Sequence, residues 1–175
     1  MTLATYTVHN RIRRELATVL ESLVNDSGEI LVFQGHTIAI GAPLFRHVST
    51  GRLHKSEIKP DNYPLAYLQT AGTVLTGHNN RPLSQTRGIR CFILMQKATN
   101  NLTDNATIED TLDYYRARVL REFRSNNRDW GNVRISLTAT GADDAETSEW
   151  LNREFQHPIY STVVDATFLL PSGNL

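Results

Sequence analysis

The sequence has a single cysteine, no excess of charge of either sign and no long apolar run, and each shortage excludes a class of protein. Cys91 is the only cysteine in 175 residues, so one chain can form neither an internal disulfide nor a thiolate metal cluster. Eighteen basic residues balance eighteen acidic residues, which removes the overall positive field that draws proteins to nucleic acid. A nucleic-acid-binding module is therefore disfavoured.

Signals for membranes and for export are also missing. The longest apolar runs, such as residues 91–95, are far shorter than the ~20 residues that a membrane span needs. The N-terminus lacks the basic segment and apolar stretch of a signal peptide. We therefore expect a chain that folds in the cytoplasm and makes no contact with a membrane.

Motifs that bind cofactors or carry out catalysis are absent as well. No glycine-rich phosphate loop occurs, and none of the six histidines pairs at the i, i+4 spacing that places two imidazoles on one metal. No serine lies in a nucleophile-elbow sequence, and Cys91 is predicted to be an inert core residue in the middle of a strand. We expect no cofactor, no metal and no enzymatic activity.

Two segments have clear helical periodicity. Apolar residues at helical spacing over residues 8–24 predict an amphipathic helix that ends at the turn-prone residues 25–28. A second helix is predicted to begin at Thr107, which can cap it with Asp110 at the capping-box position, and to end by residue 125. Its apolar side consists of Ile108, Leu112, Tyr115, Val119 and Phe123.

The remaining segments favour strands. Residues 30–33 and 37–40 are two short β-prone runs that could form a hairpin, and alternating or extended runs predict further strands at 63–75, 86–97, 133–139 and 160–170. Both faces of the strand at 86–97 look buried, as in a central strand. The chain is therefore predicted to be an α+β protein, with a mostly antiparallel β-sheet and two amphipathic helices packed on one face.

The length fits one domain, residues 1–175, with long loops at about 41–62 and 141–157. The first loop is rich in glycine, proline, histidine and lysine and has no clear period, which is typical of a functional or partner-ordered segment. The second loop begins with an acidic linker at residues 141–149 and includes one apolar turn at 150–155.

Two groups of residues are candidates for chemistry or binding. Glu57, Lys59 and Asp61 are the pieces of a metal-dependent nuclease site, but their order along the chain is the reverse of the usual one. A solvated loop accounts for them better, and the nuclease stays as an alternative of another class. Arg81, Arg87 and Arg90 form a local basic cluster that could face a partner or the lumen of an assembly.

The order of the predicted elements resembles that of the tail terminator family of long-tailed bacteriophages, which includes minor tail and head-to-tail joining proteins. The resemblance covers most of the chain. It rests on the helix at 8–24, a short strand, the proline-led strand that starts at 63–68, the long strand at 88–95, the second helix and the closing strand at 160–168. Residues 41–62 and 141–149 are longer than the minimal family pattern.

The resemblance implies a structural protein without a cofactor. Such proteins form a hexameric ring that caps the tail tube, stops further tube subunits from adding and docks to the neck of the head, and DNA later passes through the hole. The expected partners are other copies of the chain, the tail tube protein and a neck or adaptor protein. A head-tail adaptor or tail completion protein is the alternative within the same class.

Overall fold

The computed structural model describes residues 3–33, 36–51, 54–76, 84–96, 105–124, 140–143 and 159–170. These segments contain helices α1 Leu3–Ser22 and α2 Asn105–Arg124, and strands β1 Leu31–Phe33, β2 His36–Ile38, β3 His47–Ser49, β4 Leu65–Thr76, β5 Ser84–Gln96, β6 Thr140–Asp143 and β7 Ile159–Leu170. Two short 3-10 turns, Lys55–Glu57 and Pro60–Asn62, lie between β3 and β4.

Five strands form one sheet in the order β3-β4-β5-β7-β6, and β1 and β2 form a separate antiparallel hairpin. Neighbouring strands of the large sheet are antiparallel except β3 and β4, which run parallel. The long strands β4, β5 and β7 stand side by side, with β5 between the other two. The predicted α+β fold with a mostly antiparallel sheet and the predicted hairpin are confirmed.

Both helices pack on one face of this sheet. Alternate residues of the three long strands, among them Leu68, Cys91 and Val164, share one buried cluster with the apolar sides of the helices. The helical members of the cluster are Ile12, Leu16, Ala17, Val19, Leu20, Leu112, Tyr115, Val119 and Phe123. The 3.6-residue spacing read from the sequence therefore marks the side chains that face the sheet.

The other face of the sheet is covered by the chain that leads into β4. Tyr67 and Phe92 stack there with their ring centroids 4.4 Å apart, and Ile58 and Tyr63 belong to the same buried cluster. The segment at 41–62, expected as a long partner-ordered loop, thus contains β3 and two 3-10 turns. Irregular turns bury single apolar residues without any period, so the pattern of the sequence does not reveal them.

The helix starts differ from the predicted ones. Helix α1 begins at Leu3 and ends at Ser22, and α2 begins at Asn105, so Thr107 lies inside the helix instead of capping it. Short polar residues recur through 99–107, and each of them is a possible cap, which explains why the sequence favours the wrong one.

The acidic linker expected from residue 141 begins within β6, which pairs with β7 from Thr140 opposite Asp165 to Asp143 opposite Thr162. The remainder of that loop, the predicted strand at 133–139 and the predicted apolar turn at 150–155 lie outside the described residues. Among the helices that the structure describes, none combines the length and the apolar character needed to cross a lipid bilayer.

Candidate docking surface

Backbone hydrogen bonds hold together the base of the β1–β2 hairpin. The Asn25 N–H donates to the Ala42 carbonyl at 2.9 Å, and the Gly41 N–H donates to the Asn25 carbonyl at 2.8 Å. Next to them, Val24 and Pro43 form an isolated β-bridge. Gly41 has a φ of 80°, a left-handed conformation that favours glycine. The two ends of the segment therefore meet in a fixed geometry. We call residues 29–33 and 36–40 the arm.

The side chain of Asn25 closes the same base from the inside. It is only 1% exposed, and its amide nitrogen donates to the carbonyls of Glu29 at 2.8 Å and Ile38 at 3.2 Å. Its amide oxygen accepts hydrogen bonds from the Ser27 backbone N–H at 3.1 Å and hydroxyl at 2.7 Å. One buried side chain thus satisfies backbone groups of the turn and of both halves of the arm, and the Ile38 carbonyl among them would be costly to bury without a partner.

Helix α2 braces the base of the arm through Asp26. Its carboxylate lies 3.0 Å from the Arg118 guanidinium and accepts hydrogen bonds from Arg121 and from the Tyr114 hydroxyl, the latter at 2.8 Å. The Arg121 hydrogen bond is the main reason why the pKa of Asp26 lies below its usual range, and Tyr114 and Arg118 act in the same direction. The turn after α1 is therefore tied to α2 by charge as well as by packing.

The arm has one face toward the protein and one toward solvent. Ile38 is buried in the main core and Leu31, its partner in the strand register, packs against that core. Val32 pairs with Thr37 in the same register, and both are exposed. Because successive side chains of a strand point to opposite faces, the inward face anchors the arm and the outward face is left open.

The arm and its base carry several exposed apolar side chains. Ile30 is 59% exposed, Val32 76% and Ile40 58%, and Val24 at the base is 38% exposed. Among the residues whose side-chain burial the structure describes, these four are the large hydrophobic side chains that are exposed. Such residues scattered over a surface need no explanation, whereas several of them within one short segment, residues 24–40, are typical of an interaction site.

The sequence predicts the hairpin but not its role. Residues 30–33 are apolar at every position, so both faces of β1 are apolar although a two-stranded hairpin can bury only one against the protein. That continuous apolar run, in a strand too short and too near a turn to be central, was the signal that could have identified the site.

The basic cluster predicted from the sequence is only partly described. Arg81 lies outside the described residues, and Arg87 lies in β5, paired in register with Thr73 and Phe168. Arg90 forms a two-bond ion pair with Asp165 across β5 and β7, at 2.7 Å and 3.1 Å. At least this member of the cluster is thus engaged within its own sheet.

Of the three residues of the nuclease alternative, Glu57 helps to hold the loop together. The Glu57 carboxylate accepts a 2.7 Å hydrogen bond from the His54 backbone N–H, which is the main reason for its lowered pKa, and lies 3.1 Å from the His47 ring nitrogen. Lys59 and Asp61 are exposed. No group of three or more histidine, cysteine or acidic side chains that could hold a metal ion occurs in the part of the chain that the structure describes.

Ser56 and His54 contact each other at the first 3-10 turn, so this serine–histidine pair has a structural role. The Ser56 hydroxyl lies 2.8 Å from His54 Nδ1, and the Ser56 backbone N–H donates to that same nitrogen at 3.3 Å. The ring nitrogen thus caps the 3-10 turn. Cys91 is fully buried, as predicted, and its burial raises the pKa of the thiol, so the thiol stays protonated.

Comparison with known proteins adds no assignment. No protein-family model matches the chain, and no curated protein matches it at a significant level. The geometry of the arm is therefore the main ground on which its function can be argued.

Proposed function

We propose that this chain is a structural virion protein of a long-tailed bacteriophage, which caps the tail tube as a ring, ends tube polymerisation and docks the tail to the neck of the head. The observation that carries the proposal is the arm. An apolar face held on a hydrogen-bonded base costs free energy in water unless another protein covers it, so it suits a protein whose task is assembly.

The order of the elements supports the same function. The resemblance to tail terminators rests on a helix, a short strand, a proline-led strand, a long central strand, a second helix and a closing strand. The described chain has α1, the short strands, β4 after Pro64, β5, α2 and β7 in that order. The strands β4, β5 and β7 are neighbours in one sheet, and both helices pack on the same face of it, so these elements form one structural unit.

Within the part of the chain that the structure describes, one edge of the sheet is only partly paired, and this edge is a second candidate surface for assembly. Among the described residues, β3 pairs with β4 only from Leu65 to Tyr67, so residues 68–76 of β4 have no strand on that side. Unpaired strand edges associate readily with other chains. A ring of identical subunits covers such edges and apolar faces together, while a single copy leaves them in water.

Termination in this mechanism is steric and needs no chemical step. The ring occupies the end of the tube, where the next tube subunit would otherwise add, and its far side receives the neck or adaptor protein. The arms are preformed, which lowers the ordering entropy that association costs. The central hole leaves a path for DNA.

Polymerisation of purified tube protein in the presence of the chain tests the proposal. Tubes formed with the wild-type protein should be shorter than tubes formed alone, with a ring visible at one end in electron micrographs. Val32→Asp places a charge on the outward face of the arm and should leave the fold intact, because Val32 is 76% exposed. Tubes grown with this variant should be long and uncapped.

Thr18→Asp is the matched control, since it introduces the same charge at an exposed position on α1 outside the arm. It should shorten tubes as the wild-type protein does. Tubes whose length and ends are the same with and without the wild-type chain would refute the proposed function.

A further inference from the structure

We draw no further inference here: the strongest candidate, the exposed apolar surface that Ile30, Val32 and Ile40 give to the arm, carries none because nothing in the described part of the structure shows what covers it.

Discussion

At the scale of a single residue, the buried side chain of Asn25 holds the exposed arm in position. Sequence reasoning predicted residues 25–28 as a turn from their short polar side chains, and the turn is where it was expected. The sequence gives no indication that one of these side chains is buried and holds the carbonyls of Glu29 and Ile38, residues that come later in the chain. Long-range hydrogen bonds of this kind depend on the tertiary fold.

Replacement of Asn25 by alanine should lower the free energy of unfolding by about 2–3 kcal/mol, because the buried Ile38 carbonyl and the part-buried Glu29 carbonyl lose their partner at once. Asn62→Ala is the matched control: its amide makes one described hydrogen bond, to the Glu57 carbonyl at 2.7 Å, and its loss should cost about 1 kcal/mol. Urea unfolding of both variants measures the difference. Equal losses would show that the base of the arm does not depend on Asn25.

Asp26 adds a dependence on pH. Its pKa is lower in the folded protein than in the unfolded chain, so the stability it contributes is present above about pH 4 and is lost as the pH falls through the folded value. Asp26→Asn should therefore destabilise the protein at pH 6 and have progressively less effect below pH 4. Because Asp26 is 41% exposed, solvent screens its ion pairs and the difference should be about 1 kcal/mol or less.

Unfolding of the wild type and of Asp26→Asn, followed between pH 3 and pH 6, measures this effect. Asp61→Asn, an exposed aspartate in the loop before β4, serves as the control and should change stability by less than about 0.5 kcal/mol throughout. A difference between wild type and Asp26→Asn that grows as the pH falls would have the wrong sign for this account.

At the scale of elements, the periodic spacing of apolar residues predicted the helices and long strands of the described fold. It did not predict the irregular turns. Apolar residues on both faces marked β5 as the central strand, and helical spacing marked the two helices that cover one side. The cover of the other side was missed. It consists of single residues, Ile58 and Tyr63, placed by 3-10 turns around Pro60, and no period connects them.

Ile58→Ala tests this cover. Ile58 is buried against the outer face of the sheet, so its truncation should leave a cavity and lower the free energy of unfolding by about 2–4 kcal/mol. Ile30→Ala makes the same chemical change on the arm, at an exposed position, and should cost less than about 0.5 kcal/mol. Chemical denaturation of the two variants gives the comparison, and a small loss in Ile58→Ala would mean that the segment does not seal the sheet.

For the arm, the sequence predicted that a hairpin forms but not which of its faces is buried. The β-prone runs and the turn between them indicated a hairpin. Which face is buried depends on where Asn25 and α2 hold its base, so the exposure of Val32 follows only from the tertiary structure.

In the part of the molecule that the structure describes, residues on both faces of the sheet are buried around the middle of β5, whereas the outward face of the arm is left uncovered. Folding buries the core but leaves the outward face of the arm exposed, so we expect the protein to function through the contact that covers this face. Such a protein should act through its position in an assembly. Its loss should alter the shape of the particle.

Electron microscopy of phage particles produced without this protein tests that claim most directly. Because nothing would then stop tube subunits from adding, we predict tails that are longer than wild-type tails, variable in length and not joined to heads. Tails of normal length, detached from filled heads, would contradict it and would place the protein in the neck as an adaptor.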